Sequence, residues 1–352
     1  MSEPSAASEH AATWDGVAVS GPSAASEHAA TSDRVAGSEP TAASDHAVVS
    51  EPPIASERAA ASEHPAGSGR AAKPESPPGS GRAAVSERES HQAREVAESF
   101  GADAERYDRA RPSYPSALID KIIATSPGPE VLDVGCGTGI AARLFQAAGC
   151  RVLGVDVDER MAGLARRRGL EVEVAKFEDW DPAGRTFDAV VAGQAWHWVD
   201  PVAGAALAAR VLRAGGRLAV FWNSFRPPAS LAEEFAAAYR RVLAEAPLFK
   251  MPASAGADAY AALCEKAADG MRQAGAFGKV EQWRFGWDRF YTRDEYLDAA
   301  LTSGFTNQLP PATLRELMAG IGAAIDAAGG GFTMDHTTVV VTAVRLRTGP
   351  DQ

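Results

Sequence analysis

The sequence predicts an α/β fold of the doubly wound kind, preceded by a disordered segment. From about residue 95, strand-like runs of apolar residues alternate with amphipathic helix-like runs. The strand-like runs lack the polar alternation of a half-exposed sheet, so we expect parallel strands covered by helices on both faces. The first of these runs ends in a cluster of glycines, VLDVGCGTG at 131–139, which leads straight into a helix.

The predicted elements follow one another in a regular order. We expect helices at 116–126, 140–149, 158–169 and 201–216. We expect strands at 130–135, 150–157, 170–177, 187–194 and 216–223. The pattern then becomes helical over 230–249 and 258–277, which predicts a helical insertion at 226–278 after the fifth strand, where it can cover a pocket. Further strands are expected at 280–292 and 333–346, with a helix at 295–305 between them.

Residues 1–92 are predicted to be a disordered, low-complexity tail, and residues 93–352 the folded domain. The tail consists mostly of Ser, Ala, Glu, Pro, Gly and His, and its first repeat, SEPSAASEHAAT, returns in variant form. Such small and polar side chains bury too little apolar surface to offset a backbone entropy of about 1–2 kcal/mol per residue. We expect no metal site at the repeat histidines, because a flexible chain does not preorganise them. They are His10, His28, His46 and His64.

Charge and cysteine content narrow the classes of function. The net charge is −11, and no basic stripe of the kind that binds phosphate backbones is present, so we expect no nucleic-acid partner. We expect neither a signal peptide nor a membrane span, because the necessary apolar runs are absent from the sequence. Three cysteines without metal-ligand spacing favour a reducing compartment, the cytoplasm. The sequence leaves the oligomeric state open.

The glycine cluster predicts a ligand site at the carboxyl end of the first strand. In open α/β sheets ligands bind beyond the carboxyl ends of the strands, and glycines let the backbone approach them. A dinucleotide site has the spacing G-x-G-x-x-G, whereas Gly135, Gly137 and Gly139 make G-x-G-x-G and Ile140 takes the place of the last glycine. Asp133 would repel a phosphate and instead favours a ligand that carries an ammonium group.

The second strand adds an acidic residue of a different role. Asp156 ends VLGVD and can accept hydrogen bonds from both hydroxyls of a ribose, as acids at this place do in nucleotide sites. The pattern therefore describes a nucleoside with an amino-acid end. We expect its ammonium beside Asp133, its carboxylate at the amides of the glycine bend, and its ribose on Asp156. S-adenosylmethionine has these parts.

Three motifs in order, VLDVGCGTG, VLGVD and FDAVVAGQAWHWVDP, resemble those of the class I S-adenosylmethionine-dependent methyltransferases. The stretch FGADAERYDRARPSYP at 100–115 is similar to the opening of a small-molecule subgroup, the type 11 or trans-aconitate methyltransferase-like proteins. The resemblance implies a Rossmann-like sheet of seven mostly parallel strands with an antiparallel last strand. It also implies a cofactor across the ends of the first strands, and a methyl acceptor beneath the N-terminal segment and the insertion.

The expected cofactor residues lie on the glycine bend, after the second, third and fourth strands, and on the N-terminal segment. They are Asp133, Gly135, Gly137, Gly139, Asp156, Val157, Met161, Phe177, Glu178, Gln194 and Tyr107. One departure from the family pattern is Lys176, which stands where an acid usually meets the adenine amino group and has no acceptor to offer. Either Glu178 or Asp179 takes over, or the adenine is held by backbone and stacking. Phe177 and Met161 are apolar walls of the site in one interpretation and ordinary core residues in the other.

Two residues are candidates for catalysis. His197 titrates near neutrality and is a candidate general base, although it could equally fix its loop by bonding a backbone carbonyl. Arg111 could clamp a carboxylate of the acceptor or of the cofactor. The expected acceptor pocket comprises Tyr114, Trp196, Trp198 and Asn223. An aromatic face attracts a cationic sulfur, so we expect at least one of the two tryptophans to line the site, while the other could pack in the core.

Three functions are compatible with these residues. The first is methyl transfer from S-adenosylmethionine to oxygen, nitrogen or a carboxyl group of a small-molecule acceptor. The second is an NAD(P)-dependent oxidoreductase, which Ile140 and Asp133 disfavour. The third is a non-catalytic sensor or scaffold that binds S-adenosylmethionine. The sequence does not identify the acceptor.

Overall fold

The computed structural model describes residues 103–243, 255–303, 306 and 309–347, and within these the side chains of 243 and 255–259 are not described. The predicted tail and its repeats lie outside the described residues, so its disorder and the boundary at 92/93 stay predictions. None of the helices in the described part combines the length and apolar composition needed to cross a bilayer.

A single seven-stranded sheet with the order β3-β2-β1-β4-β5-β7-β6 organises the domain. Its strands are β1 (Glu130–Val134), β2 (Arg151–Asp156), β3 (Glu171–Val174), β4 (Phe187–Gly193), β5 (Leu212–Arg226), β6 (Glu281–Thr292) and β7 (Gly331–Val344). β1 to β5 are mutually parallel, whereas β7 runs antiparallel to both β5 and β6. The predicted α/β class, the seven strands and the antiparallel last strand are therefore confirmed.

The described helices lie between these strands and at their ends. They are α1 (Ala104–Ala110), α2 (Ser116–Ala124), α3 (Ile140–Ala147), α4 (Glu159–Arg167), α5 (Pro201–Val211), α6 (Ala229–Leu243), α7 (Ala255–Gln273), α8 (Arg293–Ala300) and α9 (Pro311–Ala327). Short 3-10 turns follow β3 at Phe177–Asp179 and β4 at Trp196–Trp198. α6 and α7 lie within the segment predicted as a helical insertion.

Local sequence explains where several helices start. Asp200 caps α5 by accepting hydrogen bonds from two backbone N–H groups of the first turn, and Pro201 takes the first helical position, where no N–H is needed. Thr292 and Glu295 form a reciprocal capping box at the start of α8. Each cap satisfies backbone donors that the helix itself leaves unpaired.

Apolar side chains pack on both faces of the sheet. On one face α5 and α7 cover a cluster that includes Leu132, Val190 and Trp222. On the other face α2, α3 and α4 cover a cluster that includes Val131 and Phe145. A third cluster joins α6, α8 and α9 to the ends of β6 and β7. The fifth strand is thus buried on both faces, as the absence of polar alternation predicted.

The boundary between α5 and β5 differs from the prediction. The helix ends at Val211 rather than at 216, and β5 begins at once with Leu212. Phe187 pairs with Leu212 while Ala189 pairs with Arg217, so the start of β5 bulges. Glycine is typical both of helix C-termini and of β-bulges. The sequence alone therefore did not distinguish the bulge from a helix end. β3 also ends earlier than predicted, at Val174.

The long helix α9 has no counterpart among the predicted elements. Its sequence contains Gly320 and Gly322, and glycine lowers helix propensity by about 1 kcal/mol relative to alanine. The structure gives the first of these glycines a packing role, because a Cβ at Gly320 would come within 3.2 Å of the Ala238 side chain in α6. Close approach of the two helices therefore accounts for a residue that local propensity disfavours.

β5 extends past the end of β4 and forms a wall beside the ligand edge of the sheet. Gly193, the last residue of β4, pairs with Phe221, whereas β5 continues to Arg226 against β7. The carboxyl ends of β1, β2 and β4 therefore lie next to an antiparallel extension made of β5, β7 and β6. This edge is where ligands bind in open α/β sheets.

Candidate active site

The glycine bend after β1 has the backbone conformation that its sequence predicts. Gly135, Gly137 and Gly139 have φ angles of 65°, 55° and 84°, a region that side chains disfavour. A Cβ at Gly135 would also collide with the side chain of Ala195 in the loop after β4. The bend thus requires glycine for its conformation and for the close approach of a second loop.

The amides of the bend donate to acceptors within the protein. The N–H groups of Gly135 and Cys136 donate to the Val155 carbonyl at 2.7 and 3.2 Å, and Gly137 donates to Asp156 Oδ2 at 2.7 Å. These bonds disfavour the three amides as the site of a ligand carboxylate, and that expectation stays a prediction. The same bonds disfavour a pyrophosphate, which binds through amides directed at it.

Asp133 is a buried carboxyl, and neither of its oxygens accepts a hydrogen bond of normal geometry from the described residues. Its side chain lies at the end of β1 and the residue is 1% exposed. Burial, and then the neighbouring Asp156, raises the pKa of Asp133 from 3.8 to about 8. The backbone N–H of Ala142 in the first turn of α3 opposes this shift. A carboxyl in this state suits a cationic ligand group, which would supply the missing partner.

Asp156 ends β2 and keeps part of its bonding capacity. Its Oδ2 accepts from Gly137 and its Oδ1 accepts from the backbone N–H of Asp158 at 2.9 Å. Burial raises the pKa of Asp156, and the N–H groups of Asp158 and Gly137 counteract the shift. An ionised carboxylate offers about four lone-pair sites, so these two hydrogen bonds leave acceptor capacity for a ribose hydroxyl. The predicted ribose contact is compatible with this geometry.

The predicted apolar walls divide into two kinds. Met161, in α4, lies against the bend, with its Cε 3.6 Å from the position of a Cβ on Gly137. Val157, four residues earlier, is half-buried. Phe177 instead packs in the core, with ring centroids 6.2 Å from both Trp180 and Trp196. The core interpretation of Phe177 is thus the one that the structure favours.

Tyr114 brings the N-terminal segment to the end of β4. A Cβ at Gly193 would lie 2.7 Å from the Tyr114 hydroxyl, so the absence of a side chain there makes room for the phenol. The Tyr114 ring meets Phe221 edge to face at 4.8 Å. Burial raises the pKa of Tyr114 well above its usual value, and Tyr107 and Asp133 add to the shift. Two predicted tyrosines and the buried aspartate are therefore neighbours.

Arg111 connects the same segment to the region around α8. Its Nη2 donates to the Thr302 carbonyl at 2.8 Å, and its guanidinium lies 5.1 Å from the centre of the Tyr107 ring. Arg111 also lowers the pKa of the Tyr114 phenol, which places its positive charge close to the predicted pocket. A carboxylate clamp by Arg111 stays a prediction.

The three aromatic residues of the loop after β4 differ in burial. Trp196 is 2% exposed and packs against the backbone of Gly204 in α5, with ring atoms 3.3 Å from the position of a Cβ there. Trp198 is half-buried and His197 is exposed. Gln194 begins this turn at φ 56°, an unusual value for a residue with a side chain. Trp196 is therefore a core residue, which leaves Trp198 as the candidate for the pocket.

His197 accepts a hydrogen bond that fixes its tautomer. The indole N–H of Trp222, a buried residue of β5, lies 3.3 Å from His197 Nδ1, and the imidazole contacts Trp198 at 4.6 Å between ring centres. An indole nitrogen can only donate, so Nδ1 carries the lone pair and the proton resides on Nε2. Proton uptake at Nδ1 would break the contact with Trp222. This arrangement favours the loop-fixing interpretation of His197, with an indole in place of the predicted carbonyl.

Asn223, predicted to line the acceptor pocket, is bound within the protein, which disfavours that role. It is 2% exposed, its Nδ2 donates to the Ser113 carbonyl at 3.0 Å, and its Oδ1 accepts from Thr338 at 2.6 Å. Both ends of the amide are thus used within the protein. A polar residue in an apolar strand signalled a special role, but the sequence could not show that its partners are Ser113 and Thr338.

Comparison with known proteins agrees with this geometry. A family model described as "Methyltransferase domain" matches residues 132–220, which contain the glycine bend, Asp156 and the loop after β4. A demethylmenaquinone methyltransferase of Mycobacterium sp. (strain JLS) is 30% identical over 210 residues, covering 57% of this chain and 88% of that protein. The chain belongs to the methyltransferase family.

Two further similarities concern parts of this methyltransferase. An uncharacterized methyltransferase of Mycobacterium tuberculosis (strain ATCC 25618 / H37Rv) is 39% identical over 134 residues, 37% of this chain; the chain thus spans about half, 54%, of that relative's length. The phosphoethanolamine N-methyltransferase 2 of Haemonchus contortus, solved with S-adenosyl-L-methionine, is 16% identical with a TM-score of 0.41. That match covers 70% of this chain and 57% of the other.

The methyltransferase departs from the family pattern at Lys176. The residue is exposed, and its Nζ lies 3.9 Å from Glu178 Oε1, which also accepts from the backbone N–H of Asp200 at 2.8 Å. Glu178 is therefore partly committed to the start of α5, and Asp179 is exposed. Backbone and apolar contacts to the adenine are the alternative that these positions favour.

Proposed function

We propose that this methyltransferase transfers a methyl group from S-adenosyl-L-methionine to a small-molecule acceptor. The single observation that carries the proposal is Asp133, buried at the end of β1 and lacking a full partner among the described residues. A cationic amino group is the ligand chemistry that such a carboxyl favours. A dinucleotide has no ammonium group to offer at this position.

The residues around the bend fit the parts of that cofactor. Asp133 would hold its ammonium group, and the free lone pairs of Asp156 would accept the ribose hydroxyls. The carboxylate needs a donor other than the bend amides, and Arg111 is the residue we propose for it. When bound, the cofactor supplies a methyl group on a positively charged sulfur, ready for displacement by a nucleophile.

The chain's own contribution is chiefly positioning. Tyr114 lies over Gly193 at the end of β4, and Trp198 is half-buried in the following loop. We propose that these two side chains narrow the space there and exclude water from it. Holding two reactants in line is worth up to about 7–11 kcal/mol in well-oriented cases. Because His197 uses its basic nitrogen to bind Trp222, we propose that the acceptor reacts as an anion or an intrinsic nucleophile rather than through a general base.

The acceptor class proposed is a small molecule. The relative from Mycobacterium sp. (strain JLS) is named for demethylmenaquinone, and we extend to this chain only the class of acceptor, without a choice of atom. We also propose a cytoplasmic location, which is supported by three cysteines that are buried and free of disulfides.

The proposal is tested by incubating the full chain with methyl-labelled S-adenosylmethionine and a metabolite extract, followed by mass spectrometry of labelled products. We expect labelled product with the wild type and its loss in Asp133→Asn. Asp188→Asn is the matched control, since Asp188 is also buried but lies at the opposite end of β4 and accepts from the Glu130 backbone. Binding of a nicotinamide cofactor without binding of S-adenosylmethionine would contradict the proposal.

A further inference from the structure

A chain of three hydrogen bonds crosses the antiparallel half of the sheet and ends on the N-terminal segment. Trp287 Nε1 in β6 donates to Thr338 Oγ1 in β7 at 3.0 Å. Thr338 Oγ1 donates to Asn223 Oδ1 in β5 at 2.6 Å. Asn223 Nδ2 then donates to the Ser113 carbonyl at 3.0 Å. We call this chain, Trp287–Thr338–Asn223–Ser113, the relay.

The chemistry of its members gives the relay one direction. An indole nitrogen only donates, so it fills an acceptor position on the Thr338 hydroxyl and leaves that hydroxyl's proton for Asn223. The Asn223 amide must then present its oxygen to Thr338 and its NH₂ to Ser113. The opposite amide orientation would place two oxygens against each other at Ser113. The donor at Trp287 therefore decides which end of Asn223 faces the N-terminal segment.

Burial makes this choice energetically significant. Thr338 is 0% exposed and Asn223 is 2% exposed, so water cannot replace a lost partner at either residue. The two residues also face each other directly in the antiparallel register of β5 and β7. The relay is a fully bonded polar line through an apolar sheet face, and such networks favour one arrangement over alternatives.

The relay ends one residue before Tyr114. Tyr114 places its hydroxyl over Gly193 and its ring on Phe221, at the edge of the sheet where the cofactor and acceptor are expected. Two residues earlier than Ser113, Arg111 donates to the Thr302 carbonyl. The segment 111–115 is thus held at two points by side chains that bind backbone carbonyls, and Tyr114 is carried between α1 and α2.

We propose that Thr338 and Asn223 are positioning residues that set the place of Tyr114 over the active site through the Ser113 carbonyl. The role of this position in cofactor affinity rests on the proposed function. The positioning itself does not, because it is a property of the protein without ligand. Neither residue touches the reacting groups, so both act through the segment.

The test compares two fully buried threonines of β7. Thr338→Val removes the hydroxyl at constant shape, and Thr338→Ser restores it. Thr342→Val is the control, because Thr342 is also 0% exposed and hydrogen-bonded, to the Leu218 carbonyl and Arg217, but lies farther along the strand from Ser113. Trp287→Phe, at a half-buried position, provides a second and milder perturbation of the relay.

The first measurement is amide hydrogen exchange of the peptide that contains residues 111–114, in the full chain without ligand. We expect exchange to accelerate about tenfold in Thr338→Val, the upper end for one hydrogen bond, less in Trp287→Phe, and not in Thr338→Ser. Thr342→Val should leave this peptide unchanged relative to peptides of β1. Equal acceleration in Thr338→Val and Thr342→Val would overturn the proposal.

The second measurement is the calorimetric affinity for S-adenosylhomocysteine. We expect about tenfold weaker binding in Thr338→Val, with recovery in Thr338→Ser, and wild-type affinity in Thr342→Val. Accelerated exchange with unchanged affinity would overturn the link between Tyr114 and the cofactor. A wild type that binds no S-adenosylhomocysteine would contradict the proposed function, while the exchange measurement would still decide on the relay.

Discussion

Asp133 is the single residue from which we infer the kind of ligand that the site accepts. Burial and the neighbouring Asp156 raise the pKa of this carboxyl to about 8, so its ionised form destabilises the ligand-free fold. The same carboxyl becomes favourable when a cation takes the place of the missing partner. Because Asp133 lies close to the glycine bend in the sequence, this part of the proposed site could be predicted from the sequence.

His197 provides a prediction at the same scale. Asparagine places its oxygen near the position of Nδ1, so His197→Asn should preserve the acceptor for Trp222 while removing the imidazole. We expect His197→Asn to keep kcat within about threefold of the wild type, and His197→Ala to lose more because the buried Trp222 N–H is then unpaired. Steady-state kinetics on both variants measures the difference.

A general base would behave otherwise. Loss of such a base typically costs about 10²–10⁴ in rate, whatever residue replaces it. Equal losses of that size in His197→Asn and His197→Ala would therefore contradict the loop-fixing role. The wild-type pH profile serves as the reference for both variants.

Residue by residue, the local motifs were predictable and the long-range partners were not. Asp133 and Asp156 end their strands, and strand ends can be read from apolar runs. Asn223 was predicted to line the acceptor pocket, yet its hydrogen-bond partner Thr338 lies 115 residues away in the chain. Only the antiparallel register of β5 and β7 brings these two side chains together.

At the scale of elements, the bend after β1 is where the loops of two strands meet. Gly135 has φ 65°, and a side chain there would collide with Ala195 in the loop that follows β4. The conformation of the bend and the position of the β4 loop are therefore coupled. Any side chain at Gly135 must displace the loop that carries His197 and Trp198.

This coupling predicts different effects for two alanine substitutions. Gly149, just after α3, has φ 90° and nothing within 4 Å of a Cβ position. Gly149→Ala should cost about 1 kcal/mol of unfolding free energy from backbone strain alone and leave ligand affinity unchanged. Gly135→Ala should cost about 2–4 kcal/mol, because a steric clash adds to the strain, and should abolish binding of S-adenosylhomocysteine. Urea unfolding and calorimetry measure the two quantities.

The outcome for binding decides whether the two loops are coupled. Unchanged affinity in Gly135→Ala would show that the β4 loop moves without consequence for the site. A loss of affinity in Gly149→Ala would show instead that backbone strain far from the collision is sufficient.

Element boundaries were less predictable than element order. The order of strands and helices follows from alternating apolar runs, and it was right for β1 to β5. The end of α5 was placed too late, because Gly215 and Gly216 mark a bulge at the start of β5 rather than a helix end. α9 was not predicted, and its Gly320 lowers helix propensity. The helix forms because Gly320 permits close packing on α6, a tertiary effect that the sequence does not show.

The whole molecule combines a parallel half that holds the bend and an antiparallel half that extends past it. β5 belongs to both, since it pairs with β4 on one side and with β7 on the other. The relay, the N-terminal segment and Tyr114 connect the two halves at the carboxyl edge of the sheet. In this arrangement the proposed cofactor site on the first strands faces a wall made by the last ones.

Two buried titratable groups give the fold a defined pH dependence. The pKa of Asp133 is about 8 in the folded protein and 3.8 as its ordinary value, so between these the folded state binds more protons and stability falls as pH rises. Burial, with a contribution from Arg289, lowers the pKa of His336 from 6.5 to about 4, so stability rises with pH in that window. The two contributions oppose each other from about pH 4 to 6.5, and above this window the Asp133 contribution continues up to about pH 8 without that of His336.

We therefore predict that the free energy of unfolding falls between pH 6.5 and 8 in the ligand-free wild type, by at most about 1.4 kcal/mol per pH unit. Asp133→Asn should remove this decline and be more stable than the wild type at pH 8. Urea unfolding at pH 6.5, 7.2 and 8 measures it. The same decline in both proteins would assign the pH dependence to another group.

The central claim, that Asp133 recognises the ammonium group of an amino-acid nucleoside, is tested most directly by a thermodynamic cycle. Calorimetry would compare S-adenosylhomocysteine with methylthioadenosine, which lacks the amino-acid end, on the wild type and on Asp133→Asn. The account predicts that Asp133→Asn weakens the binding of S-adenosylhomocysteine by about tenfold or more, as expected for a charged hydrogen bond. The affinity for methylthioadenosine should stay unchanged. Equal losses for both ligands, or no binding of S-adenosylhomocysteine to the wild type, would contradict it.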